Sequence, residues 1–253
     1  MSSGRGAVAL SVTVLAGRHW ACDQIDVGLK AAGWVPLPAR GDRGRGALVP
    51  ALRPSYRDVE ELLAERGIQV DHVTVFRWVQ TFTAEFIDTG RPSRHAIGDR
   101  WFVDETYVKV SGRCTNLYRA VDQHGQVIDV LLSDRRDARA ARTFFTRALS
   151  TRTMPVEVTT DRAPVYPGVI EEFAPQARHV LEQYANNVVE ADHGRLKSRL
   201  RPMRGLKTSR SLRIVAAGQA FVQNLRRGHY ELATDRSARD RVRIAFAELA
   251  HRI

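Results

Sequence analysis

One stretch limits the possible folds of this chain most strongly, because it is typical of three β-strands in immediate succession. Its residues alternate in polarity and are rich in aromatic and β-branched side chains, which favour strands. The predicted strands are Trp101–Val110, Cys114–Val121 and Gln126–Leu132, with His124-Gly125 as the turn between the last two. Since parallel neighbours need long crossovers, three strands with short connections predict an antiparallel meander.

Helical and strand patterns alternate after the meander. The predicted elements are, in order, a helix, a strand, a short helix, a short strand and two longer helices: Arg139–Leu149, Val156–Thr160, Pro167–Phe173, His179–Leu181, a helix from near Asn187, and Ser209–Tyr230. This order predicts an α/β fold, in which a mixed sheet carries helices on its faces. Hydrophobic residues make up 43% of the chain, which is enough for a packed core and argues against global disorder.

Two short helical patterns precede the sheet. The stretch Ser55–Arg66 has a polar cap followed by apolar residues at helical spacing, Gly67 ends it, and Asp71 can cap a second helix. Two helices joined by a glycine-containing turn suggest a helix-turn-helix, whose second helix enters the major groove of DNA. An ordinary helical hairpin that only packs fits equally well. The exposed polar face of the second helix, and so the candidate DNA contacts there, would be His72, Thr74, Arg77 and Gln80.

Residues 1–52 differ from the rest of the chain. Positions 35–54 are rich in Gly, Pro and Arg without a steady period, which is typical of a linker or a disordered segment. The apolar run Ala7–Ala16 lacks a following cleavage site, so we expect no signal peptide. The two cysteines form no CxxC pair, which fits a reducing cytosol, and no apolar run reaches membrane-spanning length.

The charge balance raises the odds of a polyanionic partner. The chain has 39 Lys and Arg against 28 Asp and Glu, a formal net charge of +11. Between Arg195 and Arg213 there are eight Lys and Arg and no acid. Because a solvated face usually mixes its signs, this run favours contact with phosphates. Its candidate DNA-binding residues are Lys197, Arg201, Arg204 and Lys207.

Three acidic residues lie within or next to predicted strands and helices. Asp104 lies within the first strand, Asp161 follows the fourth strand, and Glu190 begins a later helix. Each has an ordinary explanation when taken singly. Asp104 would face water at a sheet edge or pair with an arginine, and Asp161 would be a turn or cap residue. Glu190 would complete a capping box begun by Asn187.

Considered as a set, the three acids indicate a metal-binding site. The first and fourth strands of such a sheet can lie side by side, so that Asp104 and Asp161 face each other with the Glu190 helix start above them. Converging carboxylates repel unless cations lie among them, and Mg²⁺ prefers oxygen ligands. Two such ions can activate an attacking oxygen and stabilise a leaving one. The chain has no zinc-type His/Cys cluster, P-loop or GxSxG motif that would indicate another chemistry.

The helix that follows Glu190 presents two neighbouring rows of side chains at helical spacing. The inward apolar stripe consists of Val189, His193, Leu196 and Leu200. The adjacent row consists of Glu190, Gly194, Lys197 and Arg201. We interpret His193 as a half-buried histidine with satisfied hydrogen bonds. Gly194 would let a DNA backbone approach Glu190, and Lys197 would hold a phosphate.

The motifs WFVDETYVKV, LYRAVDQHGQVIDVLLS, TTDRAP, NNVVEADHGRLKSRLRPMRGLKTSRS and NLRRGHY resemble bacterial transposases of the insertion-sequence-six family, as does SYRDVEELLAERGIQVDHVTVFRWVQ ahead of them. The resemblance covers about residues 54–232. It implies a ribonuclease-H-like domain with a magnesium-dependent Asp-Asp-Glu triad, for which manganese can substitute. By motif, the triad residues, both catalytic and metal-binding, are Asp104, Asp161 and Glu190.

The resemblance also implies partners and boundaries. A helix-turn-helix would help bind terminal inverted repeats, and the enzyme would join these ends to target DNA as at least a dimer, in the cytoplasm at the nucleoid and without a membrane partner. The implied divisions are an irregular extension 1–52, a helix-turn-helix region 53–92, a catalytic domain 98–232 and a helical tail 233–253.

Two departures from the family leave alternatives open. The spacer between Asp161 and Glu190 is shorter than usual, and GALVPALRP stands where the family has an apolar helix. The chain could therefore be an inactive remnant that only binds inverted repeats. A stand-alone nuclease of the same fold is a third hypothesis.

Overall fold

The computed structural model describes residues 55–65, 67–182, 186–201 and 206–253. The extension predicted for residues 1–52 and the candidate Arg204 lie outside the described residues. The helices are α1 (Tyr56–Ala64), α2 (His72–Gly90), α3 (Ala138–Leu149), α4 (Tyr166–Phe173), α5 (Asn187–Leu200), α6 (Ser209–Arg227) and α7 (Ala238–Ala250), with a 3-10 turn at Arg91–Ser93. The strands are β1 (Arg100–Val110), β2 (Arg113–Asp122), β3 (Val127–Ser133), β4 (Glu157–Thr159) and β5 (Arg178–Val180).

The strands form one mixed sheet in the order β3-β2-β1-β4-β5. Strands β1, β2 and β3 are the predicted antiparallel meander, and β4 and β5 run parallel to β1 and β4 respectively. Strand β1 therefore lies at the centre of the sheet, and it is a neighbour of β4, as the sequence predicted. This mixed five-stranded sheet with helices confirms the ribonuclease-H-like fold.

Helices cover both faces of the sheet, and β1 contributes alternate side chains to each face. On one face, Trp101 and Val103 pack with Phe144 and Phe145 of α3 and with residues of α4. On the other face, Val108 and Val110 pack against α5 and α6, through residues that include Leu196 and Leu212. Neighbouring residues of β1 consequently point to opposite layers, which decides the surroundings of each acid on this strand.

The described chain divides into two compact units. One comprises the described residues up to Thr89 together with Val242–Ile253, and the other is Gly90–Arg241. Within the first unit the rings of Phe86 and Phe246 meet edge to face with centroids 5.0 Å apart. Part of the segment predicted as a C-terminal tail thus packs with the N-terminal helices. No helix in the described ranges is both long and apolar enough to cross a membrane.

The N-terminal helices begin where the sequence predicted, and the first of them also ends there. Ser55 and Asp58 form a capping box at the start of α1, and Gly67 follows its end at φ +77°. Asp71 accepts a hydrogen bond from the backbone N–H of Thr74, at 2.6 Å. The second helix is longer than the predicted recognition helix, since α2 continues to Gly90.

Replacing Gly228 by Ala is expected to destabilise the protein by about 1–2 kcal/mol, because this residue ends α6 in the left-handed region at φ +85°, which L side chains disfavour. Gly168 offers a matched control. It lies in α4 with no atom within 4 Å of an added Cβ, so Gly168→Ala should stabilise by up to about 1 kcal/mol. Urea unfolding measures both changes, and equal effects of the two substitutions would contradict the left-handed cap.

Candidate active site

Asp104 and Asp161 lie level with each other on adjacent elements. The parallel pairing of β1 and β4 aligns Trp101 with Val158 and Phe102 with Thr159. Continuing this register by two residues brings Asp104 to the level of Asp161, which follows the end of β4. The register therefore brings the backbones of these two residues to the same level, because β1 and β4 are neighbours as the strand order predicted.

Asp104 faces the layer formed by α5 and α6. Strand β1 is central, so the edge-strand explanation for this acid does not apply, and the basic side chain in contact with its carboxylate is that of His193. Nδ1 of His193 lies 3.4 Å from Oδ2 of Asp104. The interpretation of His193 as half-buried and satisfied is wrong: it is buried, and within the described residues its Nε2 has no hydrogen-bond partner. Its ring instead faces Asp104, one of the three candidate acids.

Glu190 is positioned by two anchors of α5. Asn186 is the N-cap residue, and its amide donates to the carbonyl oxygen of Val103 at 3.0 Å instead of capping the helix. His193 contacts Asp104 further along the helix. At about 100° per residue, both anchors point to β1 and Glu190 lies roughly 40–60° to one side of them. Glu190 is exposed. It stands four residues after the N-cap, so the capping-box explanation does not apply.

Asp161 uses its two carboxylate oxygens differently. Oδ1 accepts a hydrogen bond from the backbone N–H of Ala163 at 3.1 Å, which is the turn role expected of an aspartate here. Oδ2 accepts from Nη2 of Arg136 at 2.9 Å. Asp161 is therefore both a turn residue and the partner of an arginine from the segment between β3 and α3.

Glu105, next to Asp104, points to the opposite face of β1. Its carboxylate accepts hydrogen bonds from the Tyr166 hydroxyl and from Nε of Arg136. Burial raises the pKa of Glu105 above its usual range, against the opposing effects of Tyr166 and Arg136. Burial also raises the pKa of Tyr166 well above its ordinary value. Sequence analysis missed this cluster, because no motif indicated that Arg136 reaches back to β1.

The three acids suit a hard divalent cation by their chemistry, since all are oxygen donors. In the described part of the chain, however, no three His, Cys, Asp or Glu side chains converge closely enough to hold a metal ion. Two of the candidate acids lie instead against basic side chains, Asp104 against His193 and Asp161 against Arg136. The carboxylates of Asp104 and Asp161 are thus each engaged by a basic side chain, and Glu190 is exposed.

Comparison with known proteins identifies the family. Residues 98–229 match the family described as a DDE domain. The chain belongs to the insertion-sequence-six family of DDE transposases. It is 35% identical to the Staphylococcus aureus transposase for insertion sequence-like element IS431mec, over 62% of this chain and 72% of that protein. It is 34% identical, with the same coverage, to the Staphylococcus aureus transposase for insertion sequence element IS257 in transposon Tn4003.

A solved structure also resembles this transposase. The integrase catalytic core domain of HTLV-2, determined in complex with magnesium in a dimeric form, aligns with a TM-score of 0.41 and 19% identity. The alignment covers 59% of this chain and 99% of the integrase domain.

A buried ionic network fixes α5 of the transposase to the sheet. Arg119 stands directly across from Asp104 on β2 and is fully buried. Its Nη1 lies 3.3 Å from Oδ2 of Asp192, which follows Glu190 by two residues on α5. Oδ1 of Asp192 also accepts from Arg195 at 2.8 Å and from Arg227 of α6 at 2.5 Å. Burial lowers the pKa of Arg119 to about 10.

The predicted DNA contacts of α2 are only partly open to solvent. Arg77 is exposed, whereas His72, Thr74 and Gln80 are half-buried. Nδ1 of His72 lies 2.8 Å from Oε2 of Glu60, so this residue ties α2 to α1. The amide nitrogen of Gln80 is buried without a partner among the described residues. Of the predicted face, Arg77 is the side chain most available to a ligand.

The described part of the basic run after Glu190 is exposed at the candidate DNA-binding residues but not at every arginine. The predicted outer row of Glu190, Gly194, Lys197 and Arg201 is exposed, as is Lys207 after the helix. Arg199 is buried, so one of the eight basic residues of the run does not belong to the open surface. Of the described candidates, Lys197 and Arg201 are exposed on the helix that carries Glu190 and at its C-cap, and Lys207 is exposed beyond it.

Proposed function

We propose that this transposase joins the ends of an insertion sequence to target DNA by metal-dependent phosphoryl transfer at Asp104, Asp161 and Glu190. The observation that carries the proposal is the alignment of Asp104 with Asp161 across β1 and β4 beneath the anchored start of α5. Family membership supplies the class of reaction.

The triad would hold Mg²⁺, or Mn²⁺ in its place, through carboxylate oxygens. When bound, such ions neutralise phosphate charge and activate a 3′ hydroxyl for attack on the target phosphate. The chain supplies the positioning. Asp104 lies on β1 and Asp161 in the turn after β4, His193 contacts Asp104, and Asn186 fixes the start of the helix that carries Glu190.

DNA would contact the exposed basic residues around this centre. Lys197 and Arg201 lie on the Glu190 side of α5, where their charges would neutralise phosphates close to the reacting bond. Arg77 of α2 is the open candidate for binding the terminal inverted repeats. Because two ends must be joined together, we propose that the active form is at least a dimer.

A joining assay tests the proposal. Labelled inverted-repeat ends are incubated with the full chain, target DNA and Mg²⁺, and products that contain both DNAs are expected. Omission of the metal, or addition of EDTA, should abolish them. Binding of the ends without joining would overturn the proposal in favour of an inactive remnant, and cleavage without joining would favour a nuclease.

A further inference from the structure

Arg136 is held at two points between the sheet and the triad. Its Nε donates to the carboxylate of Glu105, whose side chain is only 2% exposed, and its Nη2 donates to Oδ2 of Asp161 at 2.9 Å. The buried Glu105, itself bonded by Tyr166, fixes one end of the guanidinium. The other end is the part that reaches Asp161.

The contact occupies a particular oxygen of Asp161. Oδ1 is engaged by the backbone N–H of Ala163 within the turn after β4. Oδ2 makes no hydrogen bond within this turn, and it accepts the hydrogen bond from Arg136. A divalent cation on Asp161 would therefore meet the guanidinium at Oδ2, and the two positive charges would repel each other.

We propose that Arg136 is the resident counterion of the candidate metal site, which holds Oδ2 of Asp161 until a divalent cation displaces it. The inference depends on the proposed function in taking Asp161 as a metal ligand. Glu105 keeps the displaced guanidinium beside the site, so the exchange is local and reversible.

Direct metal binding tests this exchange without DNA. The full chain is titrated with Mn²⁺, and free Mn²⁺ is followed by electron paramagnetic resonance. Arg136→Gln is expected to bind Mn²⁺ about three- to tenfold more tightly than the unchanged protein, since a partly exposed ion pair no longer competes. Arg136→Lys, whose single ammonium cannot span both carboxylates, should tighten binding by a smaller factor.

Arg135→Gln is the matched control. Arg135 is exposed, and its replacement removes the same charge one position away. Its Mn²⁺ affinity should equal that of the unchanged protein. In an Asp161→Asn background, Arg136→Gln should no longer tighten binding. Circular dichroism at the titration temperature verifies that each variant is folded.

Several results would overturn the inference: equal or weaker Mn²⁺ binding by Arg136→Gln, the same tightening in Arg135→Gln, or no binding by any variant. The joining assay separates this inference from the proposed function. If Arg136→Gln tightens Mn²⁺ binding but the unchanged protein joins no DNA, the proposed function alone fails. If the protein joins DNA with Mg²⁺ but Arg136→Gln leaves the affinity unaltered, the counterion role alone fails.

Discussion

Changing Asp104 to Asn, Asp161 to Asn or Glu190 to Gln, one at a time, is expected to lower the rate of strand joining by about a hundred- to a thousandfold or more. Each amide keeps the shape of the side chain but loses the negative charge that would hold a divalent cation. Loss of one preorganised electrostatic contact in an active site typically has an effect of about this size. Initial rates of joined product at saturating Mg²⁺ measure it.

Glu171→Gln is the control for these substitutions, because Glu171 is an exposed acid on α4. It removes the same charge and should join DNA at the unchanged rate. Gel shifts with inverted-repeat DNA should show that the three triad variants still bind. If one of the three variants keeps more than about a tenth of the joining rate of the unchanged protein, the substituted acid is not a catalytic residue, given the size of effect expected.

The elements that carry the three candidate acids could be predicted because their signals are local. Alternating aromatic and β-branched residues marked β1, and the turn chemistry of His124-Gly125 marked the hairpin between β2 and β3. The neighbourhood of β1 and β4 followed from strand order alone, and the structure confirms it. Asp104 and Asp161 could thus be brought together without knowledge of any side-chain contact.

The partners of the acids could not be predicted, because they depend on side-chain direction and on contacts between distant segments. Glu105 and Asp104 are adjacent carboxylates in one strand, yet the pleat sends them to opposite layers with different neighbours. Arg136 is separated from Glu105 by 31 residues. The helical stripe predicted that His193 faces inward, but not that its ring meets Asp104.

The arginines illustrate the same limit. Nothing in the sequence distinguishes a buried arginine from an exposed one. The sequence placed Arg199 and Arg201 in the same basic run, which was predicted to contact phosphates. The structure buries Arg119 and Arg199 and exposes Arg201. Burial of a guanidinium requires a partner in place, and Asp192 for Arg119 lies 73 residues away. Only the packed structure reveals which charges belong to the interior.

Asp192→Ala is expected to destabilise the protein by about 3–5 kcal/mol, because it leaves the fully buried Arg119 without its carboxylate. The remaining side-chain contacts of Arg119 are the neutral amide oxygens of Gln219 and Gln223, with Nη2 donating to Gln219 at 3.0 Å. These oxygens accept hydrogen bonds but do not balance the charge. The free energy of unfolding from urea titration measures the loss.

The network predicts an asymmetry between its two buried members. Arg119→Met should cost less, about 1–3 kcal/mol, because Asp192 keeps its hydrogen bonds from Arg195 and Arg227. Arg195 and Arg227 can reach solvent when Asp192 is removed, whereas Arg119 cannot, so the larger loss belongs to the Asp192 substitution. Glu171→Ala, at an exposed position, should change stability by no more than about 0.5 kcal/mol.

The same substitution also links stability to the triad. Asp192 lies two residues after Glu190 and connects α5 to β2 and α6, so its loss should loosen the helix that carries Glu190. The rate of strand joining by Asp192→Ala should therefore fall, when it is assayed under conditions where the variant remains folded. Arg119→Met should keep more of the joining rate, because Arg227 still holds α5 through Asp192. Equal stability losses in the two variants, or a larger loss in Arg119→Met, would show that Asp192 is not the centre of this network.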